Sequence, residues 1–174
     1  MANFDIAVAY VLDNEKGYVD RPDDRGGPTK FGITMKTLAD YRKTPVTIGD
    51  IQDLTMTEAK DVYKAKYWLN LGFDLITNAF IATALMDVAV LYGPQTSVKI
   101  AQKAVNSLGC NVTVDGFLGQ NSAAAINTVQ PSAFIKSFHG LIIDRIDAIV
   151  RNDPSESSNE QGWENRADRL LSLA

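Results

Sequence analysis

Residues 4–15 read Phe4-Asp-Ile-Ala-Val-Ala-Tyr-Val-Leu-Asp-Asn-Glu15, and the stretch that soon follows, Asp20-Arg-Pro-Asp-Asp-Arg-Gly-Gly-Pro-Thr29, abandons that pattern. In the first stretch Phe4, Ala7, Val8, Val11 and Leu12 recur at i, i+3, i+4, i+7 and i+8. That spacing predicts a helix with one buried stripe, capped by Asn3 and ended by Gly17. At about 100° per residue Glu15 falls about 20° from Phe4, inside the apolar stripe, whereas Asp13 falls opposite it at about 180°. A glutamate serving a surface ion pair belongs opposite the stripe, so Glu15 is expected to point at the core or at the floor of a cleft. The second stretch holds two prolines and two glycines in ten residues. Such a run forbids a helix and favours turns, with room for a short strand or hairpin.

Beyond this boundary the periodicity is helical to the end. Thr34 is placed to cap a helix through Leu38 and Tyr41, and Thr55 with Glu58 has the spacing of a capping box ahead of Ala59, Val62, Tyr63 and Lys66. Residues 78–91 are apolar on nearly every face, which predicts a central helix, stopped at Gly93-Pro94. Val98, Ala101, Val105 and Leu108 mark a further helix closed by Gly109. A turn at Asp115-Gly116 and Gly119 leads to a short Ala-rich helix over 121–129. The next helix begins after Pro131, is the longest in the chain, and carries Phe134, Phe138, Leu141, Ile142, Arg145, Ile146 and Ile149 along one side. Asn152 to Gly162 reads as a mobile polar loop, and Trp163 to Leu173 as a terminal helix that Trp163 anchors. The fold class is mainly α, with β structure confined at most to a small hairpin or irregular loop between residues 16 and 34.

Composition narrows the chemistry. The chain has 174 residues, 19.0 kDa, 45% hydrophobic residues and a formal charge of −4 with a sequence pI near 4.9. Length and composition predict a globular protein able to bury its own core without staples. A nucleic-acid partner is not expected, because such binding rests on cations that neutralise phosphates. Cys110 is the only cysteine and His139 the only histidine, so an internal disulfide, Cys-cluster zinc sites and His-pair zinc motifs are excluded. No metal or cofactor is expected. Apolar runs end well short of a membrane span and the N-terminus has no export signal, which predicts synthesis in the cytoplasm and no stable membrane insertion.

Carboxylates remain. Burial and the helix C-terminus both push Glu15 towards its protonated form. A glutamate of pKa ~4.3 is only about 0.2% protonated at pH 7, whereas one raised to ~6 is protonated in roughly a tenth of molecules, which suits a general acid. Nine residues on, Asp24 lies in the polar Gly-Pro loop, where backbone N–H groups and water keep it ionised. Two carboxylates in opposed environments are what glycoside hydrolysis uses, and Thr29 is placed to position a water. The competing reading is structural: a helix-terminal glutamate tying Gly17 to Gly27 through loop N–H groups, beside a merely solvated acidic loop. Arg145, on the apolar side of its helix, is expected either to snorkel or to pair with a buried carboxylate, Asp87 or Glu15.

The segment Glu15-Lys-Gly-Tyr-Val-Asp-Arg-Pro-Asp-Asp-Arg-Gly-Gly-Pro-Thr-Lys-Phe-Gly-Ile-Thr34 resembles the signature of glycoside hydrolase family 108, the phage-type N-acetylmuramidases. The likeness continues through Tyr67-Trp68, Asp87-Val-Ala-Val with Gly93-Pro94, Asp115-Gly-Phe-Leu-Gly119 and Gly162-Trp-Glu-Asn-Arg166. It implies a lysozyme-like helical fold, with a muramidase part over 1–92 and a helical peptidoglycan-binding-like part over 93–174 packed into the same unit. By that resemblance Glu15 is the catalytic acid. Asp24 or Asp20 is the second carboxylate, Thr29 assists, and Tyr18, Asp20, Phe31, Tyr67, Trp68 and Asp87 bind substrate. The implied partner is peptidoglycan, cleaved between N-acetylmuramic acid and N-acetylglucosamine by a monomeric endolysin. Such a protein needs no cofactor and reaches the periplasm or wall with a holin-type partner. Lys16 stands where the family usually has Gly and is expected to face solvent. A lytic transglycosylase and a non-catalytic wall binder or morphogenetic protein are the rival readings.

Overall fold

Helix α1 (Phe4–Asn14) lays Ala7, Val8 and Val11, all fully buried, against the most apolar helix of the chain, α5 (Ala79–Tyr92). The computed structural model describes residues 4–15, 17–18 and 27–174; the expected cap Asn3 and the orientation of Lys16 fall outside them. Every residue of α5 from Ile81 to Ala89 is buried, because α1, α6 (Pro94–Ser107) and α8 (Pro131–Asn152) pack around it. Asn78 caps α5 by accepting from the Phe80 and Ile81 N–H groups, and Gly93, at φ +89°, turns the chain directly into α6. Among the described residues no helix is long and apolar enough to cross a membrane.

The β structure is two short strands, β1 (Thr29–Lys30) and β2 (Ile33–Thr34), paired antiparallel with Thr29 opposite Thr34 and Lys30 opposite Ile33. Thr34 then caps α2 (Met35–Arg42), as the sequence predicts. A short helix α3 (Ile48–Gln52), absent from the sequence reading, is held by a complete capping box between Thr47 and Asp50. The predicted box at Thr55 is only half formed. Thr55 accepts from the Glu58 N–H at the start of α4 (Met56–Tyr63), but the Glu58 carboxylate turns to Arg42, at 2.8 and 2.9 Å. A charge-assisted pair with a guanidinium is stronger than a bond to one backbone N–H.

From Lys64 to Leu69 the chain widens into a π-helical turn, which leads through a 3₁₀ turn (Phe73–Leu75) into α5. After α6, buried Gln102 ties down the Asp115-Gly116 turn: its amide donates to Asp115, to the Phe117 carbonyl and to Ser122, and its oxygen accepts from the Gly116 N–H. Helix α7 (Gln120–Thr128) follows, within a residue of expectation, and then α8, 22 residues long. The segment read as a mobile loop, Asn152 to Gly162, is instead helical. A 3₁₀ turn (Pro154–Glu156) capped by Asp153 runs straight into α9 (Ser157–Arg169), and a 3₁₀ turn (Leu170–Leu173) follows. Polar composition misleads here because the exposed face of a helix is polar as well, and pairs such as Asn159–Glu156 and Gln161–Asn165 sit at helical spacing.

Candidate active site

Glu15 follows the last residue of α1, yet its N–H still donates to the Val11 carbonyl at 3.1 Å, so it keeps the helical direction set by the apolar stripe. Its side chain is 18% exposed while that of Asp13 is 71% exposed, the division that the helical wheel predicts. Three structures converge on its carboxylate.

The first is the hairpin. Two residues, Phe31 at φ +55° and Gly32 at φ +72°, connect β1 to β2. Positive φ at both positions is the mark of the tight hairpin turn whose twist matches its strands. The turn carries the Gly32 backbone so close to Glu15 that a Cβ there would lie 2.6 Å from Glu15 Oε2 and 2.8 Å from Tyr63 Oη. The second is Tyr63 at the end of α4, 1% exposed, whose hydroxyl donates to the Phe31 carbonyl at 2.8 Å and so fixes the turn. Burial first, and the nearby Glu15 charge second, push the Tyr63 phenol far above its ordinary range. Burial and then Glu15 also raise Tyr67, whose ring centroid lies 5.5 Å from that of Tyr63. Both phenols stay neutral hydrogen-bond donors.

The third is Arg166 of α9. Its Nη1 donates to Glu15 Oε1 at 2.9 Å, its Nη2 to Asp87 Oδ1 at 2.9 Å and its Nε to Asp87 Oδ2 at 3.2 Å. Asp87, 1% exposed on α5, also accepts from Asn14 Nδ2 at 2.9 Å. Arg169, one turn on, donates to Asn14 and to Asp13 and places its guanidinium 5.3 Å from the Tyr10 ring centroid. Burial works against the Arg166 charge, but Asp87 and then Glu15 outweigh it and hold the guanidinium above its ordinary range.

The remaining predicted site residues divide. Thr29 sits in β1, on the hairpin whose turn touches Glu15. Tyr18, 38% exposed, and half-buried Phe31 and Tyr67 are available at the surface. Asp20 and Asp24 lie outside the described residues. Two of the predicted site residues are enclosed. Trp68 is 4% exposed, packed edge-on against Phe4 and Phe73 at centroid distances of 5.5 and 6.4 Å, so it offers no face to a sugar. Asp87 is likewise enclosed, and its oxygens are taken by Arg166 and Asn14. Arg145 pairs with neither acid: it is exposed, with its guanidinium 5.3 Å from the Tyr92 ring centroid.

Arg166 is the residue that sequence reasoning missed. Its signal was present: Trp163, Arg166, Ala167 and Leu170 share one helical stripe, of which Ala167 and Leu170 are buried, so the arginine lies on the inner face. Grooves of about 610 and 420 Å³ flank exposed Phe117 and share Asp115, whose carboxylate is held by Gln102 and the Phe117 N–H; neither groove is lined by Glu15. Among the described residues, one acidic group, Asp147, Glu160 and Glu164, has spacing compatible with a metal ion; it shares nothing with the Glu15 site.

The family model described as glycosyl hydrolase 108 matches residues 8–93, a span that holds Glu15, the hairpin, Tyr63 and Asp87 and stops short of Arg166. Comparison with curated protein sequences finds no match. Among solved structures the chain is similar to that described as the structure of Brucella abortus SagA, with 31% identity and a TM-score of 0.80 over 97% of this chain and 91% of the other. With the family model matching residues 8–93 and a 31% identical likeness extending over nearly all of its length, the chain belongs to the glycosyl hydrolase 108 family.

Proposed function

We propose that the chain is a peptidoglycan N-acetylmuramidase in which Glu15 is the general acid. The observation that carries this is the setting of Glu15: a mostly enclosed carboxyl group, gripped by a hairpin turn on one side and a guanidinium on the other, at the edge of the one two-stranded hairpin among the described residues. Its O–H delivers a proton to the oxygen between N-acetylmuramic acid and N-acetylglucosamine as the β-1,4 C–O bond breaks. Water then adds to the anomeric carbon and leaves a new reducing end. Asp24, or Asp20 in its place, accepts the proton of that water or faces the developing cation, and Thr29 orients the water. Tyr18, Phe31 and Tyr67 supply the aromatic faces against which sugar rings lie. The reading extends to residues 93–174 as a peptidoglycan-binding-like part, whose helices α6 and α8 pack on α5. It extends further to a monomeric endolysin made in the cytoplasm and brought to the wall by a holin-type partner.

General-acid assistance contributes typically ~10²–10⁴-fold, so E15Q is expected to lose at least ~10²-fold in lysis of outer-membrane-permeabilised Gram-negative cells while keeping its fold. Near wild-type clearance by folded E15Q overturns the assignment. Mass spectrometry of the released fragments decides the reaction: reducing ends support hydrolysis, anhydro ends make the protein a lytic transglycosylase, and wall binding without release makes it a binder.

A further inference from the structure

Arg166 meets two acids with one charge. Its Nε and Nη2 edge is committed to Asp87, which is 1% exposed and also held by Asn14, while only Nη1 reaches Glu15, whose side chain is 18% exposed. With both acids ionised the three groups together carry one net negative charge in a largely enclosed place, and a single proton restores neutrality. Asp87 accepts from the guanidinium at both oxygens and from Asn14 as well. Glu15 accepts from the guanidinium once and lies nearer to solvent.

An arginine beside a general acid would ordinarily oppose it, because a positive charge favours the ionised carboxylate. Here the buried partner removes that objection. We propose that Asp87 is the charge-balancing residue and Arg166 the positioning residue of the active site: Asp87 neutralises the guanidinium, so that Nη1 orients Glu15 without locking it in the ionised form. This rests on the reading of Glu15 as the acid. It assigns to α9, outside the span matched by the family model, a part of the catalytic geometry.

The other groups facing Glu15 do not compete for this role. Tyr63 from α4 and Tyr67 from the π-helical turn are held neutral by burial. Tyr10 on α1 and Tyr92 on α5, beside Asp87, are each pushed up to about 12, again mainly by burial. Arg169 is engaged with Asn14 and Asp13, and Arg145 lies over Tyr92. Among the described residues, Asp87 and Arg166 are the charges that hydrogen-bond to Glu15 or to its partner.

The test is a set of opposed shifts. In D87N the guanidinium is left to Glu15 alone, and the midpoint of Glu15 titration, read by ¹³C NMR of its carboxyl carbon with E15Q as the assignment control, moves down by about one pH unit. In R166M it moves up by about one unit, because two carboxylates then lack their cation. The alkaline limb of the kcat–pH profile on purified peptidoglycan follows the same directions. At the pH optimum kcat falls at least tenfold in R166M with KM nearly constant, and R166K restores part of it. Breaking a buried ion pair destabilises, so the double variant D87N/R166M and R166K serve where a single variant fails to fold. The double variant removes opposite charges together and keeps the midpoint within a few tenths of a unit of wild type. Shifts in the same direction, no shift in either folded single variant, or a full-unit shift in the double variant overturn the proposal. The NMR readout requires no activity, so it separates this failure from loss of the muramidase reading, which E15Q lysis decides.

Discussion

Gly32→Ala tests whether the hairpin turn sets the position of the acid. A methyl at residue 32 would lie 2.6 Å from Glu15 Oε2, and ordinary contact begins at 3.4 Å, so one of the two must retreat by about 0.8 Å. Tyr63 cannot yield easily on the other side, 2.8 Å from the same methyl, because it is buried and bonded to Phe31. The Glu15 carboxylate, at the free end of a flexible side chain, is the part that gives way. A misplacement of about 1 Å at a reacting group costs on the order of 10²-fold in rate. The backbone also carries a cost: φ is +72° at Gly32, where an L side chain loses about 1–2 kcal/mol. Gly109 supplies the comparison, since its φ is +94° but a Cβ there has nothing within 4 Å. Both variants are expected to lose a few degrees of melting temperature, at about 2–4 °C per kcal/mol for a chain of this size. Only G32A is expected to lose about 10²-fold in peptidoglycan turbidity clearance. If folded G32A clears at the rate of G109A, Gly32 serves the backbone alone and the close approach to Glu15 has no catalytic meaning.

Three further outcomes follow from the packing and charges. W68A is expected to cost about 3–5 kcal/mol in urea unfolding, as a buried aromatic truncated to a cavity, while the KM of the remaining folded enzyme stays unchanged; a KM effect without a stability loss would restore Trp68 to the sugar site. Hydrogen bonds from Arg42 hold the Glu58 carboxyl below its ordinary value of 4.5, against a smaller opposing effect of burial. A depressed folded-state value stabilises fully above pH 4.5 and is lost as pH falls through it, so the wild-type urea midpoint should drop more steeply below pH 4.5 than that of E58Q. G140A, in an exposed turn of α8 with nothing within 4 Å of the added methyl, should raise stability by about 0.5–1 kcal/mol, measured by the same unfolding assay.

What could be read from sequence followed the range of the interactions. The Glu15 direction, the Thr34 cap, the central helix and the glycine stop at residue 93 depend on neighbours within one or two turns, and periodicity reports those. Trp68 is enclosed for a geometrical reason that residue spacing does not carry. In an α-helix it would sit about 140° from Tyr63, five residues earlier, away from the face formed by Ala59, Val62 and Tyr63. The π-helical turn over Lys64–Leu69 brings residues five apart onto one side and delivers Trp68 to Phe4 and Phe73. Nothing in residue type announces that change of pitch. Glu58 was given to its own helix because a capping box is local, and lost to an arginine 16 residues away that no local pattern can weigh.

Arg166 and Glu15, separated by 151 positions, extend the same point to the site. The acid and the turn that grips it come from one local motif, so a family model recognises them, and they would look alike in any chain that kept residues 15–34. The electrostatics come from α5 and α9, elements placed by the core. Asp87 lies in the run of buried residues from Ile81 to Ala89 on α5, and a buried carboxylate without a cation would cost several kcal/mol, so the fold has to bring Arg166 to it. Glu15 meets the guanidinium as the second acid at an ion pair that the core already requires. The motif therefore supplies the carboxylate, while the helices that enclose it supply the charges around it.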